Sequence, residues 1–369
     1  MLEFTPVHKH LLAVGLAAGA ALLLLPQGGS GNVANGALLF DHDFHAADGL
    51  GTPEMNADSC RACHQDPVVG GAGSIELNVT RFGNDNGGAG PFTNLPGGQG
   101  LSKLRIMTMH GREEYPTGSP LPADIFEQRQ PPSLLGLGLV DSISGPVITA
   151  NEDPTDANQD GIFGVARRLT VNGGQEIGRF GWKAQIPRLA DFVDDAMANE
   201  LGLTTPDNGR GFALPSDGDG VADPELSASQ VADLAAYLGS LPPPERGGST
   251  DPRVAQGEAL FTSVGCAVCH IPTLMGSTGP VPLYSNLLLH DLMPSTYRGM
   301  AEPGAAAGYF RTPPLWGIAH TAPYMHDGRA EDLRGAIAMH GGEAAGVRAN
   351  YQALTASDQD ALILFLEDL

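Results

Sequence analysis

The chain has 369 residues, 50 of them glycine and 29 proline, which suits two domains that each bury a core and carry long ordered loops. Its 42 acidic and 20 basic side chains give a formal net charge of −22, and so acidic a protein repels phosphate backbones and anionic lipids. We therefore expect no nucleic-acid ligand, and any protein partner is expected to be basic.

The first 30 residues have the pattern of an export signal. Two histidines and a lysine at 8–10 precede fifteen uncharged residues at 11–25, and small or polar residues follow at 26–30. Fifteen apolar residues are fewer than the roughly 20 that span a bilayer, so a cleaved signal peptide is favoured. No Ala-x-Ala site follows, which leaves an uncleaved membrane anchor as the alternative. Either way the protein is predicted to be periplasmic or otherwise exported.

The four cysteines form two pairs, each with the spacing Cys-x-x-Cys-His. The motifs are Cys60, Cys63 and His64, and Cys266, Cys269 and His270. Two thiols one helical turn apart can add to the two vinyl groups of a haem, and the adjacent imidazole then faces the iron. The motifs therefore predict two covalently bound haems c with the histidines as proximal iron ligands. A zinc site or a redox dithiol is the alternative, but neither explains the histidine after both pairs.

Two further matches indicate that one organisation occurs twice in the chain. The segments 34–40 and 255–261 share an alanine, a glycine, a leucine and a phenylalanine, and each precedes a Cys-x-x-Cys-His motif. The segments 226–238 and 354–366 both have the pattern of an amphipathic helix that begins at a Ser or Thr N-cap. A helix, a haem motif and a second helix that crosses the first are the organisation of a cytochrome c domain.

The predicted fold is therefore mainly α, with two cytochrome c-like domains and long loops. The first domain covers 32–241 and has an insertion around 144–203. Three prolines end its last helix and begin a linker, and the second domain covers 251–369.

The sixth position of the first haem iron decides between two kinds of chemistry. An open position binds peroxide, whereas a position that the protein fills only passes electrons on. Peroxide cleavage also needs a carboxylate or imidazole that moves a proton between the two oxygens. The candidate ligands are His42, His45, Met55, Met107, Met109 and His110. The candidate catalytic groups are Glu113, Glu114, Glu127 and His110.

Asp156, Asn158 and Asp160 copy the first half of a calcium-binding loop, with oxygen ligands on alternate residues and a glycine next. The second half does not match, because Arg167 stands where such a loop has a bidentate glutamate. A calcium site and a plain Asx-rich turn both fit this pattern. A weaker cluster of the same kind is Asp217, Asp219 and Asp223.

The chain has two tryptophans, Trp182 and Trp316. A tryptophan between two haems can relay electrons, but a large aromatic side chain is more often simply part of a core. Both interpretations of Trp182 stay open.

Several segments resemble, in order and spacing, the bacterial di-haem oxidoreductase family, which is also labelled peroxidase or thiol oxidoreductase and is related to the di-haem cytochrome c peroxidases. These segments are 56–64, 67–71, 130–139, 178–184, 284–291, 310–316, 322–329 and 340–344. The resemblance implies an oxidoreductase whose C-terminal haem takes electrons from a redox protein or a small donor. The N-terminal haem would then reduce peroxide or a similar small oxidant.

The resemblance also implies a sixth ligand for the C-terminal haem. In the related peroxidases a distal methionine follows the segment similar to 322–324 about one helix later, and that position here is His340. An imidazole in place of a thioether would lower the potential of this haem. The adjacent Met339 is the alternative ligand. Two rival functions stay open: a non-catalytic electron-transfer di-haem cytochrome, and a di-haem oxygenase or protein-modifying oxidase.

Overall fold

The structure, a computed structural model, describes residues 31–51, 56–94, 103–107, 112–114 and 123–369, with only the backbone at 94, 103–107 and 112–114. The helices in this part of the chain are α1 Val33–Phe40, α2 Cys60–Cys63, α3 Leu137–Asp141, α4 Gly145–Thr149, α5 Leu189–Ala196, α6 Ala228–Ser240, α7 Pro252–Val264, α8 Leu333–Met339, α9 Ala345–Gln352 and α10 Ala356–Asp368. None of these helices is long and apolar enough to span a membrane. The predicted signal segment lies outside the described residues.

The strands of the described residues are short. They are β1 Val79–Asn84, β2 Thr93–Asn94, β3 Lys103–Met107, β4 Arg112–Glu114, β5 Ile125–Arg129, β6 Arg168–Val171, β7 Gly174–Ile177, β8 Leu274–Gly276, β9 Gly279–Val281, β10 Leu289–Asp291 and β11 Tyr309–Arg311. The first five form one antiparallel sheet in which β1 pairs with β2, β3 and β5, and β4 pairs with β3. The other six form three two-stranded sheets.

The sequence predicted a mainly α fold and did not predict the five-stranded sheet. The buried positions of β5 are Ile125, Glu127 and Arg129, whereas Phe126 between them is half-exposed. A half-buried strand normally alternates apolar residues inside with polar residues outside. Because two of the three buried side chains of β5 are charged, that alternation is missing from the sequence.

The repeated segments form two pairs of packed helices, α1 with α6 and α7 with α10. The glycine shared by the repeats lies at each contact. A Cβ atom on Gly36 would be 2.0 Å from the carbonyl oxygen of Asp233, and one on Gly257 would be 2.0 Å from that of Ala361. Only a residue without a side chain allows the two backbones to approach so closely.

The predicted N-caps of the second helix in each pair are present. Ser227 Oγ accepts a hydrogen bond from the backbone N–H of Gln230, and Thr355 Oγ1 accepts one from that of Asp358. Each cap satisfies a backbone N–H that has no partner inside the helix.

Two apolar clusters form most of the core. The first contains residues of α1, α5 and α6 together with side chains of the second half, among them Leu283, Leu288 and Trp316. The second is built around α7 and α10. Residues from both halves of the chain therefore share the first cluster, and the exact domain boundaries stay a prediction.

Two candidate haem sites

The first Cys-x-x-Cys-His motif lines a cavity of about 180 Å³. Its two cysteines are the end residues of the single turn α2. His64 is partly buried, and its Nδ1 lies 3.0 Å from the carbonyl oxygen of Pro132 and 3.3 Å from that of Gly71. Burial lowers the pKa of His64, so the ring is neutral and Nδ1 carries the proton that these carbonyls accept. Nε2 keeps its lone pair, which is the state that an iron ligand needs.

The second motif lines a larger cavity, of about 280 Å³, together with His340. His270 Nδ1 lies 3.0 Å from the carbonyl oxygen of Tyr284. Burial, with a smaller contribution from His340, lowers the pKa of His270 to about 3. This imidazole is therefore also neutral, with Nε2 available as a ligand.

His340 is the C-cap residue of α8, and its Nδ1 lies 2.7 Å from the carbonyl oxygen of Ala336, one turn earlier. It thus has the same arrangement as the two motif histidines, with Nδ1 held by the backbone and Nε2 free. Met339 is 41% exposed and does not line the cavity. Of these two neighbours, His340 and not Met339 lines the cavity, so the geometry favours His340 as a ligand.

The four thiols are unpaired and line the two cavities. Burial raises the pKa of each to about 12. A redox dithiol has a pKa well below the ordinary thiol value, because it reacts as a thiolate. The surroundings of these cysteines therefore do not fit an exchanging dithiol.

The first cavity also contains two side chains that the sequence analysis missed, Met197 and Glu200. Both belong to a π-helical turn, Met197–Leu201, which follows α5 directly. Glu200 accepts a hydrogen bond of 2.6 Å from Asn56 Nδ2, and Met197 is 1% exposed. No motif marks either residue, although π-helical turns occur frequently at functional sites.

Among the other predicted ligands and catalytic groups of the first haem, those with described side chains do not line this cavity. His42 and His45 are exposed and do not line it. Glu127 is buried beside it, where it accepts hydrogen bonds from the hydroxyl of Tyr297 and from the N–H of Met300 at 3.2 Å. Outside the described side chains lie Met55, Met107, Met109, His110, Glu113 and Glu114, and their roles stay predictions.

The oxygens of the predicted calcium loop accept hydrogen bonds from the loop itself. Oδ1 atoms of Asp156, Asn158 and Asp160 accept backbone N–H groups at 3.1, 3.0 and 2.9 Å. This is the arrangement of an Asx-rich turn, and calcium binding there stays a prediction. Among the described residues, acidic oxygens within 4.8 Å of one another occur at Asp217, Asp219 and Glu225.

The two cavities share a wall. Trp182, Gln130, Pro131 and Pro132 line both of them. The indole Nε1 of Trp182 donates a hydrogen bond of 3.0 Å to the carbonyl oxygen of Gln130. An aromatic side chain thus stands between the two motifs in a fixed orientation.

The model of one protein family, described as "Di-haem oxidoreductase, putative peroxidase", matches residues 124–369. The match covers more than half of the chain and includes the second Cys-x-x-Cys-His motif but not the first. No curated protein matches the sequence.

Several solved structures align with the chain. A MauG-like protein associated with microbial copper homeostasis is 15% identical, with a TM-score of 0.43 over 93% of this chain and 90% of that one. The di-haem peroxidase of Burkholderia thailandensis is 16% identical, with a TM-score of 0.44 over 91% and 85%. The hydrazine synthase of Kuenenia stuttgartiensis is 13% identical, with a TM-score of 0.41 over 98% and 100%.

Proposed function

We propose that this chain, which belongs to the di-haem oxidoreductase family, is an exported c-type enzyme that reduces peroxide or a similar small oxidant at its N-terminal haem. The observation that carries the proposal is the unequal content of the two cavities. Four histidines line the second cavity, and two of them, His270 and His340, have Nδ1 held by a backbone carbonyl oxygen. The first cavity has one histidine, His64, held in this way, together with the carboxylates of Asp195 and Glu200. Such a difference suits one site that stores electrons and one that reacts.

The residues that would hold the haems are those of the two motifs, through thioether links from the cysteines and through the histidine Nε2 atoms. His340 would supply the sixth ligand of the second iron. Haems bound in this way supply reversible one-electron chemistry, and an iron with an open sixth position also binds peroxide.

Glu200 would act as the proton carrier of the first site. Its carboxylate can take a proton from one peroxide oxygen and return it to the other, which cleavage of the O–O bond requires. The hydrogen bond from Asn56 Nδ2 holds the carboxylate in position. Complete reduction of peroxide to two waters uses two electrons and two protons, and the two haem sites would supply one electron each.

Electrons would enter at the C-terminal site and cross the shared wall at Trp182. The acidic net charge of −22 favours a basic redox protein as donor, because opposite charges steer the encounter. Attachment of haem to such motifs outside the cytoplasm agrees with the predicted export signal.

A second candidate function, electron transfer without catalysis, is favoured by Met197. Its thioether is 1% exposed and lines the first cavity. If this sulfur occupied the sixth position of the first iron, neither site would bind peroxide.

Electron paramagnetic resonance of the oxidised protein, before and after peroxide is added, separates the two functions. The proposal predicts a high-spin signal from one iron that peroxide changes, and the same signal in Met197→Leu. Glu200→Gln should keep that signal but lower the rate of peroxide reduction by about 10²- to 10⁴-fold. The exposed carboxylate variant Glu76→Gln is the matched control and should keep the wild-type rate.

The opposite result is equally specific. A wild-type protein with only low-spin signals that ignore peroxide, together with a new high-spin signal in Met197→Leu, would establish electron transfer as the function and end the peroxidase proposal.

A further inference from the structure

A cluster of buried charged side chains lies beside the first cavity. Each member is at least nine-tenths buried. The members of this buried charge cluster are Arg81, Arg129, Arg167, Lys183, Glu127 and Glu302.

Cations exceed anions in the buried charge cluster. The three guanidinium groups stay charged at any ordinary pH, and only two carboxylates face them. Burial lowers the pKa of Lys183 to about 7, and its Nζ donates to the carbonyl oxygens of Ala306, Ala307 and Tyr309 at 2.8 to 2.9 Å. Three donated hydrogen bonds use all three protons of an ammonium group. With Lys183 protonated in this arrangement, the excess is two positive charges, in a place where unpaired charge is costly.

Among the described residues, the hydrogen bonds of the cluster leave unused donors on all three arginines: Nε alone on Arg167, and more than one on Arg81 and on Arg129. Glu302 accepts from Arg81 Nη1 at 3.0 Å and lies 3.5 Å from Arg167 Nη1, and Glu127 pairs with Arg129. In the described part of the chain, Nε and Nη2 of Arg81 and Nε and Nη1 of Arg129 have no acceptor. Buried donors without acceptors indicate that a group absent from the polypeptide completes the cluster.

These two arginines face the same space. Arg81 on β1 is paired in register with Glu127 on β5, two residues from Arg129, so both arginines project from one face of the sheet. Both line the first cavity together with the cysteines of the first motif. Arg129 also lies over the ring of Phe310, which lines the second cavity, at 5.1 Å from the ring centre.

We propose that Arg81 and Arg129 bind the two propionate carboxylates of the haem at the first motif, an inference that rests on the haem site proposed above. A guanidinium fork matches a carboxylate with two parallel N–H···O bonds. The propionates of a haem lie on the edge opposite the vinyl groups, so a haem linked to the cysteines carries its carboxylates to the other side of the cavity. Two carboxylates would balance the excess charge and use the free donors.

Two measurements on the holoprotein test the inference, and neither uses peroxide. Resonance Raman spectra report hydrogen bonding through the propionate bending bands, and a spectroelectrochemical titration gives the potential of each haem. The variants are Arg81→Gln and Arg129→Gln. The matched control is Arg210→Gln. Arg210 is largely buried, forms ion pairs with Asp191 and Glu176, and lines neither cavity.

Each glutamine variant should shift the propionate bands and lower the reduction equilibrium constant of the N-terminal haem at least tenfold, which is about 59 mV for one electron. Loss of a nearby positive charge favours the ferric state, which explains the direction. The reduction potential of the C-terminal haem can be recognised because His340→Met changes it. In the arginine variants this potential should change less than that of the N-terminal haem. Bands and potentials that move no further than in Arg210→Gln would overturn the inference.

If the glutamine variants do not fold with haem, the same measurements are made on Arg81→Lys and Arg129→Lys. Lysine retains the charge but lacks the planar fork, so the propionate bands should shift while the potential stays near that of the wild type. Unchanged bands in both lysine variants would also overturn the inference. A protein that shows these shifts but ignores peroxide would refute the peroxidase proposal alone.

Discussion

Three histidines share one local arrangement in this protein. His64, His270 and His340 each place Nδ1 within 3.0 Å of a backbone carbonyl oxygen. The carbonyl fixes the tautomer and the ring orientation, so Nε2 is presented as a lone-pair donor without any change of protonation. Two of these rings line one cavity and the third lines the other, and this single difference at the residue scale underlies the proposed division of labour.

Replacement of His340 by methionine should raise the potential of the C-terminal haem. A thioether stabilises the ferrous state relative to an imidazole, and axial ligands tune haem potentials over roughly 0.8 V, so we expect a rise on the order of 0.1 V or more. The measurement is a spectroelectrochemical titration of each haem.

Met339→Leu is the control for this substitution, since Met339 is the neighbouring, exposed residue of α8. It should leave both potentials unchanged. If Met339→Leu moved the C-terminal potential and His340→Met did not, Met339 would be the ligand and the assignment of His340 would be wrong.

At the scale of the elements, the two helix pairs depend on a glycine at each contact. The carbonyl oxygens of Asp233 and Ala361 occupy the space that a Cβ atom would need on Gly36 and Gly257. Backbone atoms cannot move aside as a flexible side chain can, so the distance between the helices would have to increase. Each pair also carries a buried phenylalanine, Phe40 or Phe261, four residues after its glycine.

Gly257→Ala should destabilise the protein, because the new methyl group overlaps the carbonyl oxygen of Ala361. Forced overpacking of this kind costs about 1 to 3 kcal/mol, although alanine is the better helix former. Denaturant unfolding of the holoprotein measures the change in the free energy of unfolding.

Gly346→Ala provides the matched comparison, since Gly346 lies in α9 and a Cβ there has no atom within 4 Å. This variant should be neutral or more stable by up to about 1 kcal/mol. Equal effects of the two substitutions would show that helix propensity, and not the contact between α7 and α10, determines the result.

At the scale of the whole molecule, the two cavities share a wall that contains residues from the first half of the chain. Trp182 and Gln130 line both cavities, and their hydrogen bond fixes the indole between the motifs. The imidazole of His326 lies edge-on to the indole at 6.5 Å and stacks on Phe310 at 4.1 Å. These aromatic groups therefore lie together where the two cavities meet.

Trp182→Phe should slow electron transfer between the haems without changing the spin state of either. It should also cost about 1 to 3 kcal/mol of stability, because the buried carbonyl of Gln130 loses its indole donor. Stopped-flow reduction, followed at wavelengths that distinguish the two haems, measures the transfer rate.

Trp316→Phe controls for the loss of a large aromatic side chain. Trp316 is buried, whereas Trp182 is partly buried, and Trp316 lines only the second cavity, so this variant should keep the transfer rate. A rate unaffected by Trp182→Phe would assign that residue to the core alone.

Local patterns alone were sufficient for part of this description. The spacing Cys-x-x-Cys-His is contiguous, and so are the N-caps at Ser227 and Thr355, because a helical turn brings residues three or four apart into contact. The repeated glycine and phenylalanine also mark the helix pairs without reference to the rest of the fold. For His340, family resemblance placed the residue, and no local pattern would have done so.

Only the tertiary structure brought Met197, Glu200, Arg81 and Arg129 to the cavity of the first motif. These residues come from a π-helical turn and two strands that are distant in sequence from Cys60–Cys63, and contacts between distant segments leave no periodic signal. The sequence of β5 does not indicate a strand either, since the strand buries charged side chains where a strand normally buries apolar ones. That inversion is stable only because partners from other elements surround it, and no window of sequence contains them.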